Sequence, residues 1–363
     1  MQIPIIDIKA QYNTIKAELD SAVIKVLSEG VFINGPEVKK LEEEIAKYSG
    51  VKHAVALNSG TDALYLSLKV LGIREGDEVI VPAFTFFATA ETVSMCGAKP
   101  VFCDITPDTY NIDPVKLEKL ITHRTKAIIP VHLYGQPAEM DLIMTLAKNN
   151  GLNVVEDNAQ ALGAKYRGKM TGSFGDTGCI SFYPTKNLGA AGDGGMVVTN
   201  NSELAAKLSI LRDHGSVKKY AHSEIGVCSR LDEVQAAILR VKLKYLEGWN
   251  EKRRKNAKKL TSLLKGVITP RADEQSSHVY HQYTVRHSHR DQLAEYLKAN
   301  GIMTGVHYPS PLHKQEVYMK AGYMDVLPEA EKASREVLCL PIHPELSGEQ
   351  LDYMIAAINN FKG

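Results

Sequence analysis

Little in this sequence advertises a macromolecular partner. Lys+Arg 43 against Asp+Glu 42 leaves a formal charge of +1. No long-range field therefore draws the chain to nucleic acid or to an anionic membrane, and any anionic ligand must be held by local groups. No apolar run approaches the ~20 residues of a membrane span. The start, Met1-Gln2-Ile3-Pro4-Ile5-Ile6-Asp7, has neither the basic residues nor the apolar stretch of a secretory signal, so a cytoplasmic location is expected. Cysteine is scarce: Cys96, Cys103, Cys179, Cys228 and Cys339 are odd in number and show no C-x-x-C spacing. That argues against a disulfide scaffold, a zinc site or an iron–sulfur cluster. His132, His214, His281, His307 and His313 are scattered without metal-ligand spacing, so no metal is expected. The glycine-rich stretches Gly172–Gly178 and Gly192–Gly195 do not match G-x-G-x-x-G, which excludes the usual nicotinamide-binding turn.

What is present is an ordinary globular composition, 44% hydrophobic and 23% charged over 363 residues, long enough for two domains. Short β-branched runs alternate with helical patterns from about residue 15 to residue 245. Strands are predicted at His53–Leu57, Glu78–Val81, Pro100–Asp104, Ala127–Val131, Asn153–Glu156, Cys179–Phe182 and Met196–Thr199. Helices are predicted between several of them, at Ala63–Leu71, Ala88–Cys96, Val115–Ile121 and Met140–Asn149. Such alternation indicates an α/β fold with a mainly parallel sheet covered on both faces, whose ligands sit beyond the carboxyl ends of the strands. After a strong helix at Leu231–Lys244 come the basic amphipathic helix Lys252–Leu264, a strand Val279–Arg286 and a helix Leu293–Asn300 stopped by Gly301. Residues 1–245 read as a large domain and 246–363 as a smaller α+β one.

Lys186 is the residue that gives this scaffold a chemistry. It lies among small, aromatic and proline residues in Ser181-Phe182-Tyr183-Pro184-Thr185-Lys186, 29 residues after Asp157, which ends the run Val154-Val155-Glu156-Asp157. An amine able to form a Schiff base and a carboxylate able to keep a pyridine nitrogen protonated are the minimum for pyridoxal phosphate chemistry. Gln160 follows closely enough to meet the ring's phenolic oxygen. Asn58-Ser59-Gly60-Thr61-Asp62 opens a helix after a strand, either as a phosphate cradle or as a plain N-cap. In Phe84-Thr85-Phe86-Phe87 an aromatic ring stacks on the cofactor or packs in the core. Glu156-Asp157 equally reads as a loop cap. His307-Tyr308-Pro309, with His313 nearby, is the densest polar-aromatic cluster of the C-terminal third, a candidate substrate-facing loop.

With the motifs Gly35-Pro36-Glu37-Val38, Ser59-Gly60-Thr61-Asp62-Ala63-Leu64, Glu156-Asp157-Asn158-Ala159-Gln160, Ser181–Lys186, Arg212-Asp213-His214-Gly215, Ser229–Ala237 and Val306-His307-Tyr308-Pro309 in this order, the chain resembles the DegT/DnrJ/EryC1/StrS sugar aminotransferases. The match runs from Ile5 to Pro344. The resemblance implies the fold type I architecture, a large αβα sandwich with a smaller C-terminal domain, and pyridoxal 5'-phosphate as cofactor. It implies that Lys186 carries the Schiff base and moves the proton, and that Asp157, Gln160 and Phe86 hold the ring. Gly60, Thr61 and Ser181 would hold the phosphate. Some relatives with histidine at the lysine position are dehydratases; Lys186 favours transamination. Relatives carry Asn at the position of Cys228, reaching the neighbouring subunit's cofactor phosphate, and a thiol is a weak donor there. The implied assembly is a homodimer with shared active sites. L-glutamate is the implied amino donor, and the acceptor a nucleotide-linked keto sugar for amino-sugar polysaccharides such as lipopolysaccharide O-antigen. The tail motifs look most like enzymes acting on UDP-2-acetamido-3-keto-glucuronic acid, with Tyr183, His307, Tyr308 and His313 toward the substrate and Arg230 reaching it from the neighbouring subunit. A dTDP-3-keto-6-deoxyhexose, a 4-keto sugar, a dehydratase or a non-enzymatic regulatory role stay open.

Overall fold

The computed structural model describes residues 1–272 and 275–362. Its centre is a seven-stranded sheet: β1 His53–Leu57, β2 Glu78–Pro82, β3 Lys99–Cys103, β4 Thr125–Ile128, β5 Asn153–Asp157, β6 Thr177–Ser181 and β7 Gly195–Thr199. The spatial order is β1-β7-β6-β5-β4-β2-β3. β3, β2, β4, β5 and β6 are mutually parallel, and β7 runs antiparallel to both β6 and β1.

The period-two pattern of the strands fills two apolar layers at once. Val79, Val81, Val155, Cys179 and Val197 point to one face, against Leu66, Leu68, Ala90 and Val93 of the helices Gly60–Val70 and Ala88–Met95. Their neighbours point the other way. Ile180, Met196 and Val198 meet Leu41, Ile45 and Leu239, while Ile80, Ile128 and Val154 meet Ile143 and Ala147. Sandwiching the sheet explains why these strands read as continuous apolar runs rather than alternating ones.

Downstream, the antiparallel pair β8 Tyr283–Arg286 and β9 Val337–Leu340 packs with the helices Leu246–Leu263, Arg290–Ala299 and Gly348–Asn360 around Leu260, Tyr283, Leu293, Leu338 and Met354. Ile3 joins this cluster, because the N-terminal segment forms a parallel bridge to Ile302. Among the described residues no helix is long and apolar enough to cross a membrane.

Local geometry trims several expected elements. The strand expected from Val279 begins only at Tyr283, since Tyr280 adopts φ 44°, outside extended space. The helix expected at Val115–Ile121 is Pro114–Glu118: Asp113 caps it by accepting from the Val115 and Lys116 N–H groups, with Pro114 in the first turn. The helix expected from Leu231 starts at Glu233, and that side chain has another task.

Glu233 is buried, and its carboxylate accepts the N–H groups of Gly35 (2.7 Å), Glu37 (2.7 Å) and Val38 (3.1 Å) at the start of the helix Pro36–Ser49. Pro36 has no N–H to offer, so one side chain serves the donors at this end of the helix. A Cβ on Gly35 would lie 2.8 Å from the Glu233 carboxyl group, which accounts for the glycine. Glu233→Ala strands these buried donors and should cost on the order of 3 kcal/mol, with Glu233→Gln losing less. Urea unfolding reads this directly; an unchanged midpoint for the alanine variant would show that the cap is dispensable.

Candidate active site

A cavity of about 500 Å³ opens at the carboxyl edge of the sheet, where β1, β5 and β6 end. Its floor begins with the last two residues of β5. Period two sends them to opposite faces. Glu156, wholly buried, accepts the N–H groups of Gly172 (2.7 Å), Phe174 (2.6 Å) and Gly175 (2.8 Å). It also pairs with His132 Nε2 at 3.0 Å. Because the Ala138 N–H donates to His132 Nδ1, the ring's proton sits on Nε2 and goes to Glu156. Asp157 faces the cavity. Its Oδ2 accepts from the Thr89 hydroxyl (2.9 Å) and its Oδ1 from the Ala159 N–H (3.2 Å). Burial pushes its carboxyl above the usual range, and those two donors only partly offset this.

Lys186 stands across from it, in the turn following β6 that its own N–H closes onto the Tyr183 carbonyl at 2.8 Å. The surrounding protein desolvates the amine and lowers it to about 8, against a smaller opposing pull from Asp157. An amine so placed is neutral, hence nucleophilic, in a useful fraction near neutrality.

The third wall is the start of the helix Gly60–Val70. Ser59 is its N-cap, accepting from the Asp62 N–H at 3.0 Å. Among the described residues no acceptor takes the N–H groups of Gly60 or Thr61. These are the open donors that make a helix start an anion site. A Cβ on Gly60 would lie 2.7 Å from Ser181 Cβ, so only glycine lets the cradle close against β6. Ser229 locks the turn, donating to Asp62 Oδ2 (2.7 Å) and accepting from the Asn58 N–H (3.1 Å).

The remaining expected residues divide. Gln160 lines the cavity with its amide orientation fixed: Oε1 accepts the Tyr134 N–H (2.7 Å) and Nε2 donates to the Tyr308 hydroxyl (3.0 Å). Tyr308 keeps its phenolic proton, since burial drives its ionisation upward. Of the aromatic run, Phe84 is fully buried and Phe87 packs on Tyr318, while Phe86 is 55% exposed at the rim, 6.2 Å from the Tyr308 ring. Tyr183 and His307 also line the cavity.

Three further residues lie off it, two of which, Arg230 and Cys228, are expected to serve the neighbouring subunit's site. His313 is buried in the turn Leu312–Lys314, with Nε2 at 3.1 Å from Glu331 and its ring against Phe102, so its proposed contact with substrate is corrected. Arg230 is ion-paired with Asp213 at 2.8 Å, and its Nη2 lies 3.1 Å from the exposed Cys228 Sγ. Neither reaches this chain's own cavity.

Thr89 and Tyr134 support the site from behind, and His281 lines its cavity. Thr89 falls within a predicted helix and His281 within a predicted strand, and neither position by itself marks a site. Their role depends on long-range contacts with Asp157, Gln160 and Asn187.

Residues 13–359 match the DegT/DnrJ/EryC1/StrS aminotransferase family. The chain is 51% identical to a "Pleiotropic regulatory protein" of Geobacillus stearothermophilus, covering 99% of both chains. It is 45% identical to the "UDP-2-acetamido-2-deoxy-3-oxo-D-glucuronate aminotransferase" of Pseudomonas aeruginosa, covering 99% of this chain and 100% of that one. It superposes with TM-score 0.96 on the crystal structure of Streptomyces venezuelae DesV in complex with a ketimine intermediate, at 46% identity, over 99% of this chain and 98% of the other.

The lowered amine of Lys186 has a consequence for stability. Between about pH 8 and the ordinary lysine value of 10.5 the unfolded chain holds a proton that the native state has released. Stability therefore gains from this group as pH rises through that window, and below it the full desolvation cost applies. Lys242, also lowered to about 8, adds a second such group. In urea melts of the cofactor-free protein, Lys186→Met should differ from wild type in its pH slope over this window by one proton. Identical slopes would mean that Lys186 titrates normally.

Proposed function

The chain belongs to the DegT/DnrJ/EryC1/StrS aminotransferase family, and from that starting point we propose that it moves an amino group from L-glutamate to the C3 carbonyl of UDP-2-acetamido-3-keto-glucuronic acid. The enzyme is a sugar aminotransferase and its cofactor is pyridoxal 5'-phosphate. The observation that carries this assignment is one cavity holding the desolvated amine of Lys186, the buried carboxylate of Asp157 and the open helix start at Gly60.

These residues fit the cofactor. Gly60, Thr61 and Ser181 would hold its phosphate, Asp157 its ring nitrogen, Gln160 and Tyr308 its ring hydroxyl, and Phe86 a ring face. When bound, the cofactor supplies an electron-withdrawing ring that lets a proton leave the amino-bearing carbon. Lys186 Nζ takes that proton from one carbon and returns it to another, which its lowered basicity suits. A cationic ring nitrogen would offset the burial that raises the Asp157 carboxyl, since opposite charges at contact favour the charged state.

For the substrate, a relative that acts on this sugar is 45% identical over nearly the whole chain. His307 on the cavity wall suits a sugar carboxylate. Arg230 suits one better, through a bidentate contact, but it lies off this chain's own cavity and would act in a partner's. A homodimer with shared sites supplies that partner. Its support is the exposed apolar set Ile24, Leu27, Val31, Phe32 and Ile33, and the protruding Tyr220 and Ile225 just before Cys228. We also take residues 1–245 as the large domain and 246–363 as the small one, with Ile3 contributed to the latter.

Incubated with L-glutamate alone, the holoenzyme should convert its cofactor to the amine form and release 2-oxoglutarate. Borohydride should fix the untreated cofactor on Lys186, read by peptide mass. A screen of keto-sugar nucleotides then identifies the acceptor, with UDP-2-acetamido-3-keto-glucose as the neutral control for the carboxylate. Absence of the glutamate reaction would favour a dehydratase or the regulatory role in the 51% relative's name.

Cys228 would offer the partner's phosphate a weak donor in place of an amide. The lost bond to a charged group is worth about 1.5–3 kcal/mol, so Cys228→Asn should bind pyridoxal phosphate roughly ten-fold or more tightly in a titration of the apoprotein. Equal affinities would remove Cys228 from the phosphate site.

A further inference from the structure

His281 lines the cavity beside Lys186 and has no part in the assignment above. Its protonation state follows from a chain of hydrogen bonds anchored on backbone carbonyls. Asn250 Nδ2 donates to the Leu162 carbonyl at 3.2 Å, so Asn250 Oδ1 is the acceptor that Asn187 Nδ2 meets at 2.8 Å. Asn187 Nδ2 also donates to the Val279 carbonyl at 3.1 Å, a second fixed acceptor. Asn187 Oδ1 is therefore what faces His281 Nδ1, at 3.2 Å, and that nitrogen must carry the hydrogen. His281 Nε2 is left with a bare lone pair. It has no partner among the described residues, yet it is not among the sealed, unpartnered polar atoms, so it opens onto the cavity that the ring lines.

Burial, with Lys186, Arg253 and His307 as the nearby cationic or titratable groups, holds the imidazole well below its usual pKa. It is thus a hydrogen-bond acceptor and a poor proton acceptor. The cradle, Asp157 and Gln160 would serve the cofactor's phosphate, ring nitrogen and ring hydroxyl, which leaves His281 free for another group. His281 and Lys186 line the same cavity and lie close enough to feel each other's charge, so the lone pair opens on the lysine's side of it.

We infer that His281 Nε2 accepts a hydrogen bond from a donor on a sugar carbon adjacent to the one aminated, and so selects substrates carrying that donor. This rests on the amino-sugar function proposed above. A site built to bind such a donor rejects the analogue lacking it, because its own acceptor is then left unpaired.

The test runs the sugar half-reaction backwards. The holoenzyme is mixed with UDP-2-acetamido-3-amino-2,3-dideoxyglucuronic acid, or with its 4-deoxy or 2-deoxy (acetamido-free) analogue, and conversion of the cofactor to its amine form is followed. Wild type should lose roughly ten-fold in rate over half-saturating concentration with one of the two deoxy analogues. His281→Phe should lose a similar factor with the parent sugar and show no further loss with that analogue, a coupling that merely structural damage does not produce. His281→Gln, which offers an amide oxygen, should recover part of the discrimination. Glutamate turnover should fall by a clearly smaller factor than sugar turnover in both variants. The inference is overturned if His281→Phe discriminates both analogues as wild type does, or if glutamate turnover falls as far as sugar turnover. A wild type that reacts with glutamate but with none of the three sugars overturns the substrate assignment instead, and this inference with it.

Discussion

Two adjacent carboxylates at the end of one buried strand set the terms for this active site. A charged carboxylate inside a protein is tolerated only where donors replace its lost water. Glu156 receives three backbone N–H groups and the His132 ring, which ties the loop around Gly172–Gly175 and the segment at His132 to β5. Asp157 receives only two donors and remains under-solvated. It is the member left to recruit a cation from the cavity. One carboxylate thus builds the floor while its neighbour, on the other face of the same strand, is left chemically unsatisfied.

The close approaches around this floor depend on missing side chains. A Cβ on Gly195 would lie 2.2 Å from the Ser59 carbonyl, and one on Gly178 would lie 2.2 Å from the Gly172 carbonyl. The glycine-rich stretches that do not fit a dinucleotide-binding turn serve here to let backbone meet backbone. β6, β7 and the start of the helix Gly60–Val70 converge more tightly than side chains would allow, and the cavity is the space left at their meeting.

Much of this was legible from the sequence. All seven strands of the sheet lie where β-branched runs predicted them, within a few residues, because burial on both faces leaves an unmistakable apolar run. Lys186, Asp157 and the Gly60 turn were legible because each sits at a strand end and needs an unusual residue type. What stayed hidden was the supporting hydrogen-bond network. Thr89, 68 positions from Asp157, and Asn187, 94 from His281, have no local periodicity that betrays them. The inward turn of His313 was equally hidden, since a histidine two residues after a proline reads the same whether it faces solvent or Phe102. The strand at Val279 was overextended because β propensity is silent about a single left-handed residue such as Tyr280.

The bridge between Ile3 and Ile302 bears on how this chain comes into being. Ile3 finds its partner only after some three hundred further residues have been made. Meanwhile the central sheet, confined to residues 53–199, has every strand it needs much earlier, and domains tend to fold as units during synthesis. Ile3, whose apolar side chain packs in the core formed with residues 257–358, has no such partner until those residues exist. The bridge therefore closes a loop of some three hundred residues, an ordering cost that the contacts of the C-terminal core must offset.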